Sequence, residues 1–233
     1  MNHAAPVRHQ GLQGMSWTFL LLLSIAVPLV IRFLLVYTVR YFSWDPQVYG
    51  DTFWPRRYGL LLHIAGSSVA IVTGPVQLWL GETCRALAWH RTLGMAYLVG
   101  VMVGCIGGYY LALTTRDYGW VYASGLFGLA VAWTITTGMA YLAIRRRLIV
   151  QHREWMIRSY IVTLAFVFAR LFEEVAAYMG VSDVSDVEKA VVWLCWAVPL
   201  LLAEPLLQLR KFRQPARAAS SKEYRPASES PVG

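Results

Sequence analysis

Six long apolar runs divide the chain, and they constrain its fold more than any other feature. Each run is close to the ~20 residues that a helix needs to cross the hydrocarbon core of a bilayer. Of the 233 residues, 57% are hydrophobic and only 15% are charged, so a soluble domain could not keep the apolar surface dry. The sequence therefore predicts an all-α integral membrane bundle of six transmembrane helices. The predicted spans are Met15–Val39, Tyr58–Leu80, Leu93–Leu113, Trp120–Ile144, Met156–Met179 and Ala190–Leu209.

The basic residues predict how this bundle is oriented. The N-terminal tail, the second and fourth connections and the C-terminal tail together hold 14 Lys and Arg residues, against five on the other side, and cytoplasmic segments carry such an excess. Both termini are therefore expected in the cytoplasm. The predicted domains are a cytoplasmic tail 1–14, a six-helix domain 15–209 and a basic, disordered cytoplasmic tail 210–233. The net charge of +8 indicates anionic lipid headgroups as partners at the cytoplasmic face, and no folded basic domain supports nucleic-acid binding.

Charged residues line one face of the fifth predicted span. With roughly 100° of rotation per residue, five charged or histidine side chains of this span fall within about 160° of arc around the helix. Charges inside a membrane helix are costly and usually face a protein interior or a water-filled cavity. This face is therefore the first place to look for function. Its members are His152, Arg158, Arg170, Glu173 and Glu174.

An outer layer of polar residues is predicted from depth along the helices. Arg170 stands three and four residues before Glu173 and Glu174, and Arg32 and His63 are expected at a similar depth. One interpretation is a structural ion-pair network that holds the first, second and fifth spans together. The other is a proton or substrate site with His63 as its titrating group, which predicts a proton-coupled small-molecule carrier.

A second layer is predicted near the cytoplasm, where His90 and His152 open two different spans and Arg158 and Glu204 lie about one turn deeper. Two histidines at matching depth are the minimum for bis-imidazole ligation of a b-type haem. Small residues on the third span would provide room, although membrane helices also use such stripes for close packing. This layer predicts haem b bound by His90 and His152 beside Arg158, in a redox module linked to quinone or a membrane partner subunit.

Other catalytic chemistry has no signature in the sequence. A Gly-rich phosphate loop, an H-E-x-x-H helix and a cysteine cluster with metal-ligand spacing are all missing from the sequence. No metal is predicted beyond the haem iron, and whether the protein is an enzyme stays open. A non-catalytic membrane scaffold or accessory subunit, whose charged groups only fix the register of the helices, is the third alternative.

Several segments resemble a known family. The sequence HIAGSSVAIVTGPVQL begins at His63, and WHRTLGMAY begins at Trp89. Further on, RRRLIVQHREWMIRSY begins at Arg145 and FARLFEE at Phe168. Together these segments resemble an uncharacterised bacterial membrane-protein family, domain of unknown function 2306. The resemblance covers nearly all the spans and implies a multi-pass protein of the bacterial inner membrane, with no established activity in the family.

Overall fold

The computed structural model describes residues 17–83, 86–181 and 183–223, which form helices with short connections. The predicted tail 1–14 lies outside these residues. The predicted tail 210–233 begins within the last helix, and its disorder stays a prediction. The α-helices are α1 (Trp17–Phe33), α2 (Pro46–Phe53), α3 (Arg57–Thr83), α4 (Leu87–Thr114), α5 (Trp120–Arg145), α6 (Ile149–Thr163), α7 (Ala165–Tyr178) and α8 (Val184–Glu223).

In the described part of the chain, five helices are long and apolar enough to cross a membrane. Many of their large apolar side chains remain exposed, as lipid-facing residues are. The prediction of an all-helical membrane protein is therefore confirmed, whereas six uninterrupted spans are not. The five helices are Leu23–Ser43, Arg57–Thr83, Leu87–Thr114, Trp120–Arg145 and Val184–Leu209.

The fifth predicted span is two helices, α6 and α7, that meet at Leu164. The hydroxyl of Thr163 donates a hydrogen bond to the carbonyl of Ser159, one turn earlier, at 2.9 Å. Such back-bonding competes with the backbone ladder and bends helices. The amide of Leu164 correspondingly donates to both Tyr160 and Ile161, as in a tightened last turn. Hydropathy could not reveal this interruption, because the residues on both sides of it are apolar.

The tightest helix contact in the bundle joins α3 and α4 through glycines. A Cβ atom on Gly107 would lie 2.6 Å from the amide nitrogen of His63 and 2.7 Å from the carbonyl oxygen of Gly59. A Cβ on Gly66 would likewise overlap the backbone of Gly104. Small residues let membrane helices approach until their backbones touch. The glycine stripe of α4 is therefore filled by α3.

The main core joins α3, α4, α5, α6, α7 and α8 around Tyr97, Trp133 and Cys195, which are all buried. The first span is more peripheral, because only 11% of its most apolar window is buried, compared with 44% for α4. It continues beyond α1 as a π-helical turn, Leu34–Thr38, and a 3₁₀ turn, Val39–Ser43. The first span thus lies at the periphery of the bundle, where α1 contacts α3 and α7.

We expect Gly107→Ala to destabilise the bundle by about 1–3 kcal/mol, because its methyl group would push the α3 backbone away. Gly138→Ala is the matched control, since a Cβ at this position on α5 meets no atom within 4 Å. That control should be neutral, or stabilising by about 0.5–1 kcal/mol, as alanine is in an exposed helix. Thermal unfolding in detergent compares the two variants, and equal midpoints would contradict the close contact.

Candidate functional site

A cavity of about 160 Å³, called the central cavity below, lies between the first span, α3, α4, α5 and the junction of α6 and α7. The π-helical turn Leu34–Thr38 and the break at Leu164 both border it. π-Helical turns occur frequently at functional sites, and irregular backbone at membrane depth is tolerated where it lines a cavity. Most of the lining is apolar or aromatic. Its polar side chains include His63, Ser67, Ser68, Tyr122, Thr163 and Arg170.

His63 is held in one orientation inside this cavity. Its Nδ1 atom lies 2.8 Å from the carbonyl oxygen of Gly104. Because a carbonyl only accepts hydrogen bonds, Nδ1 carries the proton and Nε2 of the neutral ring keeps a lone pair. The Nε2 atom lies 3.4 Å from the hydroxyl of Ser67, a long contact. The edges of Trp133 and Phe166 pack against the ring, with centroids at 6.3 and 5.9 Å.

The other residues of the predicted outer layer form two ion pairs beside the cavity. Arg170 contacts Glu173 at 2.6 Å and lies over the ring of Tyr37, 5.1 Å from its centroid. Arg32 contacts Glu174 at 2.7 Å, and the hydroxyl of Tyr37 donates to the same carboxylate at 2.7 Å. The aromatic ring of Tyr37 therefore connects the two pairs. His63 makes no ion pair with them, so it belongs to the cavity and not to this charge network.

The predicted cytoplasmic layer is partly an ion-pair cluster. Arg158 contacts the carboxylate of Glu204 through Nε at 3.0 Å and Nη2 at 2.7 Å, and it lies 3.8 Å from Glu154. Its guanidinium stacks over Trp155 at 4.8 Å. Such two-point Arg–carboxylate contacts are strong and directional. They join α6 to α8, a pairing that the sequence suggested only through similar depth.

His90 and His152, the predicted haem ligands, lie close enough for their ring charges to interact. His152 Nδ1 donates to the carbonyl of Ala140 at 2.9 Å, and His90 Nδ1 is buried without a hydrogen-bond partner. The expected room for a porphyrin is missing, because α3 fills the small-residue stripe of α4. The side chain of Gln77 occupies the space beside Gly94. The space requirement of a haem is therefore not met, and these residues do not fit the cofactor in this arrangement.

Sequence reasoning missed a buried network of hydroxyl groups next to the cavity. The hydroxyl of Tyr97 lies 2.7 Å from that of Ser159 and 2.9 Å from that of Thr163. Thr137 contacts Ser159 at 2.7 Å, and the indole of Trp133 donates to Thr163 at 2.9 Å. The network joins α4, α5 and α6, and it reaches the cavity through Trp133 and Thr163. Its members are common membrane-helix residues, and only their meeting in space distinguishes them.

Ionisable groups at one end of the bundle fasten the connection between α4 and α5. Asp117 accepts from Arg56 at 2.7 Å, and this charged hydrogen bond holds the pKa of Asp117 below its ordinary value. Tyr118 donates to Glu188 at the start of α8, and this hydrogen bond, followed by burial, raises the pKa of Tyr118 to about 12. These contacts join the starts of α3 and α8 to the connection between α4 and α5, at the same end of the bundle. They are structural and leave the cavity as the candidate site.

The helices, the lipid-facing apolar surface and the polar interior together define a polytopic helical membrane protein. Within the described residues, no group of three or more His, Cys, Asp or Glu side chains could hold a metal ion. Residues 60–207 match the family described as a predicted membrane protein, DUF2306, and the chain belongs to this family. No match was found among curated proteins or among solved structures. The matched region begins within α3, so the first span precedes it.

We expect Tyr97→Phe to lower the free energy of unfolding by about 1–2 kcal/mol, because it removes the centre of the hydroxyl network. Tyr160→Phe is the matched control. Its hydroxyl donates a single 3.3 Å hydrogen bond to the carbonyl of Ile71, so its loss should cost less than about 1 kcal/mol. Unfolding in mixed micelles measures both values, and an equal or larger cost at Tyr160 would argue against the network.

Proposed function

We propose that this protein is a membrane carrier that binds a small molecule in the central cavity. The observation that supports the proposal is the place of this cavity, which lies among the spans and against the junction of α6 and α7. Small-molecule sites are typically concave and mostly apolar, with a few placed polar groups. His63, Ser67 and Arg170 are such groups.

The interrupted helix also supports a carrier. Transporters commonly form their sites from discontinuous helices near the middle of the bilayer. Here the break at Leu164 separates α6 from α7, and Thr163 and Phe166 on either side of it line the cavity. Imidazole is the lining side chain whose ordinary pKa lies closest to neutral pH, so proton coupling would act through His63, in a state of the protein that compensates the charge the closed cavity disfavours.

The proposed topology counts α6 and α7 together as one interrupted span, which gives six crossings. The two helices have 15 and 14 residues, and their combined length exceeds the ~20 residues that a crossing needs. Six crossings put both termini on one side, and the distribution of Lys and Arg favours the cytoplasm of a bacterial cell for that side. The membrane is then the inner membrane, with anionic headgroups against the basic connections.

A substitution that fills the cavity tests this function. Ser68 lines the cavity, whereas Val72, one turn further along α3, is exposed on the outer surface. We expect a small molecule to co-purify with the wild-type protein and with Val72→Phe, and to be lost from Ser68→Phe. Mass spectrometry of the extracts identifies the compound, and its uptake into proteoliposomes measures transport.

Two outcomes would count against the carrier. Equal retention by Ser68→Phe and Val72→Phe would show that the bound molecule lies outside the cavity. A compound that requires the cavity but is not taken up by proteoliposomes would leave a binding protein without transport, as a scaffold or accessory subunit could be.

The haem prediction has an independent test. His90 and His152 lie near each other, but α3 and Gln77 fill the space beside them, so we expect no haem. A reduced-minus-oxidised absorption spectrum of protein from haem-replete cells would establish haem binding by a Soret band that His90→Ala and His152→Ala both abolish. A spectrum without that band removes the redox module and leaves the two histidines as interface residues.

A further inference from the structure

Some polar groups of the central cavity are already hydrogen-bonded, whereas Nε of Arg170 is buried without a hydrogen-bond partner. Thr163 is engaged by Tyr97, Trp133 and its own helix, and Tyr37 donates to Glu174. His63 differs, because its Nδ1 proton is fixed on Gly104 and its Nε2 atom has only the long contact to Ser67. The cavity therefore offers an acceptor at Nε2, with a hydroxyl group beside it.

The cavity has no net charge to balance. Among the described residues of the lining, Arg170 is the only Lys, Arg, Asp or Glu, and this cation is paired with Glu173 at 2.6 Å. A second proton on His63 would place an unpaired charge among Trp133 and Phe166, which is costly. An anionic ligand could reach the unpartnered Nε of Arg170, but it would share the guanidinium with the carboxylate of Glu173 and repel it. The electrostatics thus favour a neutral ligand.

The size and the lining of the cavity restrict the ligand further. A volume of about 160 Å³ is close to the dry cavity of about 150 Å³ in another protein that holds benzene. Aromatic side chains surround the space, and aromatic rings pack well edge to face against one another. They are Phe33, Tyr37, Tyr41, Phe53, Tyr122, Trp133 and Phe166.

We propose that the central cavity binds a neutral, single-ring phenol or hydroquinone whose hydroxyl group donates a hydrogen bond to His63 Nε2. The ring packs among the aromatic side chains, and Ser67 lies beside the hydroxyl as a second partner. This assignment rests on the proposed binding function and specifies its ligand class. A ligand of this kind dissolves in the bilayer. The peripheral first span lies between the bilayer and the cavity.

Three para-substituted ethylbenzenes test the assignment. 4-Ethylphenol has the required donor, 4-ethylanisole replaces it with a methyl ether, and 4-ethylbenzoate is an anion. Equilibrium dialysis against wild-type protein in nanodiscs, corrected with empty nanodiscs, measures their binding. We expect one 4-ethylphenol per protein and about tenfold weaker binding of the other two, since one hydrogen bond is lost and its buried acceptor is left unpaired.

Variants of His63 test whether this residue causes the preference for 4-ethylphenol over 4-ethylanisole. His63→Phe should bind 4-ethylphenol and 4-ethylanisole equally, while His63→Gln, which keeps a side-chain acceptor, should retain part of the difference. Val72→Phe, on the lipid-facing side of α3, should behave as wild type. Thermal unfolding confirms that each variant is folded. If His63→Phe does not fold, the comparison of the three probes on wild-type protein still tests the assignment.

The assignment is overturned if the wild-type protein binds 4-ethylanisole or 4-ethylbenzoate as tightly as 4-ethylphenol, or if none of the three binds. The carrier proposal then stands or falls separately. A co-purified compound that Ser68→Phe releases, but that is charged or lacks a hydroxyl group, would keep the cavity as the site and reject only the ligand class.

Discussion

The close approach of α3 and α4 is the constraint on which the rest of the interior depends. Because Gly104 and Gly107 have no side chains, the α4 backbone touches the α3 backbone beside His63. The carbonyl of Gly104 can therefore accept from His63 Nδ1, which leaves Nε2 for the cavity. Gly104 also packs against Trp133, another part of the lining. Larger residues here would separate the helices and remove both the hydrogen bond and the shape of the cavity.

The absence of water in the bilayer explains the network of hydroxyl groups and the bend before Leu164. In a bilayer each buried hydroxyl needs a partner from the protein. Ser159 and Thr163 find theirs in Tyr97, in Trp133 and in their own helix, and the bond from Thr163 to the Ser159 carbonyl bends the helix just before Leu164. The same groups hold α4, α5 and α6 together and shape one side of the cavity. Stability and the candidate site thus rest on shared residues.

Charged contacts were predictable where the partners share one helix or one depth. Arg170 and Glu173 are three residues apart and contact each other, and Arg158 and Glu204, which were assigned to one layer, are joined across α6 and α8. The cost of burying a charge in a membrane drives such pairing. His63 was assigned to the outer charge layer but contacts Gly104 and Ser67. Its neighbours are set by glycines on α4, which in sequence resemble ordinary packing positions.

The sequence by itself determined that this chain is a helical membrane protein, where its five uninterrupted spans lie and which side chains need polar partners. These properties follow from hydropathy and helical period, which are local. Only the tertiary structure decided that the fifth predicted span is interrupted at Leu164, that the glycine stripe of α4 holds α3 and not a porphyrin, and that His63 lines a cavity. Those outcomes depend on which helix faces which, because small residues and hydroxyl groups acquire their roles only from the partners they meet in the packed bundle.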